Sequence, residues 1–245
     1  MSEIDLIYDD FASELDALES MIATVGGASL GSRSRVASAN AATLLLAALF
    51  EEFVRQIIRA LFSAKAKAAA DISVFPEKIT ANVWRRSLEM LARAPFDDVQ
   101  SKSREVSDNI EAILRFCLSK DVQADVGKAL SHNDNNMRPQ QLNQLFNQIG
   151  VENMCGRACN SEALIDFLGH GTAGKATPEL TSRLEAFFRR RNDIAHSVQF
   201  NSSSGPSELS ADISLFRIFG KAIAEESIKS VTPPPRPRAS SPAAA

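Results

Sequence analysis

The sequence predicts an all-α bundle. Apolar residues recur at spacings of three and four along most of the chain, and no stretch shows the period-two alternation that a half-buried strand requires. The breaks between periodic stretches are marked by Gly, Pro, Ser and Asn. A chain of 245 residues with 44% hydrophobic content can bury one substantial core, so a single domain is expected.

Residues 3–25 place Ile4, Ile7, Phe11, Leu15, Leu18, Ile22 and Val25 on one face of an amphipathic helix, which Gly26 and Gly27 end. After a Ser/Gly-rich loop to Ser34 comes the most hydrophobic helix, about 35–69, apolar nearly all round over 41–50 and expected to be the central rod. Its tail, S-A-K-A-K-A-A-A, turns to solvent on strong helix formers. Pro76 breaks the helical pattern. Helices are then predicted over 79–93, with Val83, Trp84, Leu88 and Leu91 apolar, and over about 97–120, with Val99, Val106, Ile110, Ile113, Leu114 and Cys117 as the apolar face. Residues 121–130 either prolong the second helix or form a turn of their own. Residues 131–139 read as polar loop, with His132 exposed and unpartnered, leading into a short helix at 139–149 stopped by Gly150.

A helix at about 160–168 precedes the flexible segment G-H-G-T-A-G-K, where Gly169, Gly174 and Lys175 have phosphate-loop spacing. Ala176 stands where that motif needs Ser or Thr, and a helix rather than a strand is predicted before it, so nucleotide binding is not expected. Thr177-Pro178-Glu179 signals the start of the next helix, 178–198, with the threonine hydroxyl as N-cap and proline in the first turn. After a loop at 201–207, the last helix, about 208–229, presents Leu209, Ile213, Phe216, Phe219 and Ile223 to the core. From 232 onward the Pro/Ala-rich text reads as a disordered tail.

Composition excludes several classes. The longest apolar run, 41–50, is far short of the ~20 residues that cross a bilayer, so no membrane is expected, and the acidic N-terminal text favours a cytoplasmic protein. A formal charge of −3 provides no global attraction for nucleic acid, so any RNA contact must be local. Local basic patches are Arg33 with Arg35, Arg85 with Arg86, and Arg183 with Arg189 to Arg191; each reads equally as a solvated helix face. The three cysteines include no C-x-x-C, and Cys155 and Cys159 have no histidines nearby, so reduced structural thiols are expected rather than a metal site.

The chemistry concentrates in residues 185–200, E-A-F-F-R-R-R-N-D-I-A-H-S-V-Q-F. The stripe Leu180, Leu184, Phe187, Phe188, Ile194, Ala195 and Val198 recurs at helical spacing, and Arg191 falls in its middle, whereas Arg189 and Arg190 point to other faces. A guanidinium there needs a partner or a wet cleft. Asn192 and His196, four apart, are neighbours on the shoulder of the helix. Glu51 and Glu52, just past the most buried run, either face water or contribute one acid that pairs with Arg191.

R-N-D-I-A-H, Arg191 to His196, resembles the R-(N/H/D)-x-x-x-H motif of the HEPN superfamily of helical ribonucleases, found in toxin–antitoxin, abortive-infection and RNA-guided defence systems. Residues 37–62, A-S-A-N-A-A-T-L-L-L-A-A-L-F-E-E-F-V-R-Q-I-I-R-A-L-F, resemble the first core helix of the RiboL-PSP-HEPN and MAE_28990/MAE_18760-like subfamilies. The resemblance implies a HEPN-like helical domain over 1–231, with additional helices inserted at about 72–175. It implies metal-independent RNA cleavage with no cofactor, His196 acting as base or acid, Arg191 stabilising the transition state, and Asn192 positioning; Glu51, Glu52 and Arg190 are candidates for support. It also implies a homodimer with a composite site, restrained or accompanied by an antitoxin or other defence-system protein. Two readings from other classes stay open: a non-catalytic module binding nucleotide, RNA or protein through the same groove, and a structural subunit of a defence complex.

Overall fold

A computed structural model describes residues 1–27, 31–93, 104–132, 136–196 and 205–231. Among them are ten α-helices and no strands. In chain order these are α1 (Glu3–Gly27), α2 (Ser32–Ala68), α3 (Ile79–Arg93), α4 (Arg104–Leu118), α5 (Gly127–Ser131), α6 (Pro139–Gln148), α7 (Met154–Ala158), α8 (Glu162–Phe167), α9 (Ala173–His196) and α10 (Pro206–Val231), with a 3-10 turn at Ile72–Val74.

Helix α2 is the rod around which the others assemble, touching α1, α5, α6, α9 and α10. Its Leu46, Phe50, Ile57, Ile58 and Leu61 are wholly enclosed, as expected of a helix apolar on nearly every side. An aromatic cluster ties three helices to it: Phe216 of α10 lies 4.6 Å from Phe50 of α2 and 4.7 Å from Phe187 of α9, ring centre to ring centre. Phe11 of α1 stacks on Phe53 at 4.5 Å. Helix α10 approaches this pair through Gly220, where a methyl group would come 2.9 Å from Phe11 Cε1. Arg217 joins α10 to α1, bonding the Ala12 carbonyl and the Asp16 and Glu19 carboxylates.

Several boundaries differ from the sequence reading. Helix α9 starts at Ala173 rather than 178, because the Thr172 carbonyl already accepts from the amides of Lys175 and Ala176. Thr177 therefore is not an N-cap; its hydroxyl donates back to the Ala173 carbonyl at 2.8 Å, and Pro178 lies inside the helix, where it forgoes one backbone bond. Helix α2 begins at Ser32 and α10 at Pro206, each a little earlier than expected. Residues 121–130 divide into a turn and the separate short helix α5. Helix α7 was not legible: Asn153 in the left-handed conformation (φ 50°) caps it, accepting from the Gly156 amide. The start of the helix expected at 97 and the tail from 232 lie outside the described residues.

The apolar faces of α3 and α4 are only partly used. Ile79 and Val83 of α3 and Phe116 and Cys117 of α4 are buried, while Trp84, Leu88, Ile110 and Leu114 are exposed. The inward side of α3 runs along Ile79, Val83 and Ser87, which at 3.6 residues per turn leaves Trp84 and Leu88 on the flank.

Candidate active site

The apolar stripe of α9 holds through Leu184, Phe187 and Phe188, all fully buried, and then opens. Ile194 is half-buried, Ala195 and His196 are exposed, and Val198 lies outside the described residues. Arg191 therefore stands at the edge of the core rather than in its middle. It is half-buried, with an enclosed Nε that has no acceptor, while Nη1 donates to Asn192 Oδ1 at 3.4 Å.

That same Oδ1 accepts from Asn136 Nδ2 at 2.5 Å. With both donors on the carbonyl side, the Asn192 carboxamide is fixed in orientation and its own NH2 group is left available. His196, the last residue of α9, follows one helical turn later and is exposed.

Glu51 of α2 forms the back of the site. It is buried, and its Oε1 is enclosed with no donor in hydrogen-bonding distance. Burial pushes the carboxyl above its ordinary value, opposed first by the Arg191 charge, then by Arg55, with the Met137 backbone amide also directed at it. Arg191 acts on it through space, while Arg55 Nη2 reaches Oε2 at 3.5 Å. Glu52 goes elsewhere: it is half-exposed and sits in a surface ladder with Arg55 (3.3 Å) and Arg59 (3.6 Å). Of the two acids, then, Glu51 is the one associated with Arg191.

A carboxyl whose folded-state pKa lies above its unfolded value binds its proton more tightly when folded. Its favourable contribution is complete below the ordinary value of 4.5 and is lost as pH rises through the raised one. Glu51→Gln is therefore expected to raise Tm at neutral pH and leave it nearly unchanged near about pH 4. Thermal unfolding at both pH values checks this, and a difference that does not vary with pH would contradict it.

Arg190 is occupied in docking α9 to α10. Its guanidinium meets Glu208 at 3.0 Å and Asp212 at 2.5 Å and lies over the Phe187 ring. Burial raises the Asp212 carboxyl, and Arg190 is the first charge to oppose that rise. Of the other basic patches, Arg183 pairs with Glu179 at 2.8 Å and Arg85 lies 4.0 Å from Glu89, while Arg189, Arg33 and Arg35 are exposed.

The contribution missed by sequence reasoning comes from residues 136–138. Met137 is fully buried and anchors the segment, Asn136 reaches Asn192, and Arg138 pairs at 3.1 Å with Glu185, nearly two turns before the motif. The available signal was a single large apolar residue in a run of Asn, Asp and His. His132, expected to be exposed and unpartnered, is half-buried, and its carbonyl accepts from Arg86. His170 is half-buried in the turn before α9, its amide bonded to the Ile165 carbonyl. The phosphate-loop-like residues follow the helix α8, not a strand.

All three cysteines are free, buried thiols; burial, then the neighbouring Cys159, pushes Cys155 up to about 12. Among the described residues no group of three or more His, Cys, Asp or Glu could hold a metal ion, and no helix is long and apolar enough to cross a membrane.

The described residues thus form an all-helical bundle that carries the R-N-x-x-x-H motif at the end of α9, with Glu51 of the central helix α2 behind Arg191. A family model described as RiboL-PSP-HEPN matches residues 9–229, and the chain belongs to that family. No curated protein and no solved structure matches the chain.

Proposed function

We propose that this protein is a metal-independent endoribonuclease, acting as a toxin or defence effector, that cuts RNA at a site composed from two copies of the Arg191, Asn192 and His196 motif. The observation that carries the reading is the convergence of Arg191 and Asn192 on one edge of the bundle, with Glu51 behind them and exposed His196 one turn further on. A half-buried guanidinium at the edge of the core, with Nη1 beside Asn192, is suited to a phosphodiester arriving from solvent.

In this reaction the ribose 2′-oxygen attacks the adjacent phosphorus while a His196 takes its proton. The P–O5′ bond breaks, and the leaving oxygen receives a proton from the equivalent histidine of the second copy. Arg191 stabilises the additional charge on the pentacoordinate phosphorus, and Asn192 orients His196 or the phosphate. Attack and departure occur on opposite sides of phosphorus, which one imidazole cannot serve at once; two copies supply the base and the acid. Arg190 supports the site indirectly by holding α9 against α10, and Glu52 has no direct part in it.

The test is incubation of the purified protein with RNA in EDTA. The expected products carry 2′,3′-cyclic phosphate and 5′-hydroxyl ends, and size-exclusion is expected to show a dimer. RNA that is retained but uncut would favour the binding-module reading; a monomer that requires another protein would favour the structural-subunit reading.

Asn136 tests the positioning argument. Because among the described residues its side chain bonds the carbonyl oxygen of Asn192, Asn136→Ala is expected to lower kcat about tenfold with KM and Tm little changed. Steady-state kinetics against thermal unfolding separates this from a loss of stability, and an unaltered kcat would remove Asn136 from the site.

A further inference from the structure

Away from the motif, a cleft of about 630 Å³ lies between α3 and α6. One wall carries Lys78, Arg85 and Arg86, spaced so that they share the flank of α3 and the turn before it; the other carries Gln144, Asn147 and Gln148, one face of α6. Among the described residues Glu77 is the one acid in the lining, and Glu89 lies just beyond it beside Arg85. The walls are held in place. Arg86 donates to the His132 carbonyl, and Lys65 Nζ donates to the Ile149 carbonyl at 2.9 Å, fixing the end of α6.

The chemistry of the two walls differs in a way that matches one kind of ligand. Lys78 and Arg85 are exposed cations suited to phosphate. Carboxamides both donate and accept, as base edges do. Gln144 and Asn147 are exposed, so their carboxamides are open to the exocyclic amine or ring N–H of a base, while Gln148 Nε2 is bonded to the Gln144 carbonyl. Among the described residues neither wall contributes an aromatic ring, so recognition would be of base edges rather than faces.

The cleft is also joined to the candidate active site by α6 itself. The segment entering that helix carries Asn136 and Arg138, and its ten residues run about 15 Å to Gln148. A strand held at one end reaches the other within a few nucleotides.

We propose that the cleft between α3 and α6 is a second RNA-contact site, taking single-stranded RNA with its phosphates on Lys78 and Arg85 and its base edges on Gln144, Asn147 and Gln148. This rests on the ribonuclease reading, and the two are tested separately. The probe for the cleft is a fluorescein-labelled, fully 2′-O-methylated RNA of about twelve nucleotides, within the span that one single-strand site covers. Its blocked 2′-oxygens allow binding to the unaltered full-length protein without cleavage. In a salt titration by fluorescence anisotropy, the double variant Lys78→Glu with Arg85→Glu is expected to bind at least roughly tenfold more weakly. The slope of log K against log salt should shrink by about 1.4, two phosphates at about 0.7 each for a single strand. Gln144→Ala with Asn147→Ala should weaken binding several-fold and leave the slope unchanged. Helix content and Tm establish that each variant is folded, as expected for exposed positions.

Affinity and slope equal to those of the unaltered protein in the charge-reversed variant would overturn the proposal. So would the absence of RNA binding altogether, or stronger competition from an acidic peptide than from unlabelled RNA. Cleavage is read on unmodified RNA. Cut RNA with variant-insensitive binding removes the cleft alone; uncut RNA with variant-sensitive binding removes the ribonuclease reading and leaves the cleft.

Discussion

Replacing His196 by alanine is expected to lower the rate of RNA cleavage by about 10²–10⁴, the range that general acid–base catalysis supplies, with Tm unchanged. His196 is exposed at the end of α9 and is not among the buried residues of the core, so the fold is not expected to depend on it. In a composite site the loss is larger than one base would account for, because the substitution removes the imidazole from both copies. Arg191→Ala should cost a comparable factor through transition-state charge. Arg191→Lys should recover little, since an ammonium cannot present the planar fork that a phosphate accepts. The measurement is single-turnover cleavage of labelled RNA in EDTA, with growth of cells expressing each variant as a second readout. Full cleavage by the His196→Ala protein would end the ribonuclease assignment to this motif.

Phe216→Ala is expected to have the largest effect on stability, about 3–5 kcal/mol for a fully buried phenylalanine. For a chain of this size that corresponds to a Tm lower by about 10 °C. Phe216 is where α2, α9 and α10 meet: it contacts Phe50, Phe187 and Phe188. The cavity would open against Phe188 and against Phe187, over whose ring Arg190 lies, so activity should fall even at temperatures where the variant remains folded. Phe216→Leu, which keeps most of the volume, should cost far less. Equal thermal stability of Phe216→Ala and the unaltered protein would show that this junction does not hold the bundle together.

The helices were legible because their periodicity is a local property. Residues 79–93 could be bounded from sequence, and they coincide with α3 (Ile79–Arg93). Where local signals competed, the result depended on contacts the sequence does not display. Thr177-Pro178-Glu179 carries a helix-start signature, yet the Thr172 carbonyl begins the helix a turn earlier. Trp84 and Leu88 read as core because they are apolar at helical spacing, but only the adjacent Ile79–Val83 line has a surface to pack against.

For the candidate site, the sequence by itself marked Arg191, Asn192 and His196: Asn192 and His196 share one shoulder of the helix because they lie four residues apart at 3.6 per turn, and Arg191 stands beside Asn192 in the chain. Only the tertiary structure decided what surrounds them. Glu51 rather than Glu52 backs Arg191, because the twist of α2 turns Glu52 out to Arg55 and Arg59. Asn136, 56 residues away in sequence, fixes Asn192, and Arg190 is spent on Glu208 and Asp212. A side chain's covalent neighbours are written in the chain, whereas its charge partners are set by which helix faces pack together. That is decided by burial summed over the whole bundle, not by any one stretch.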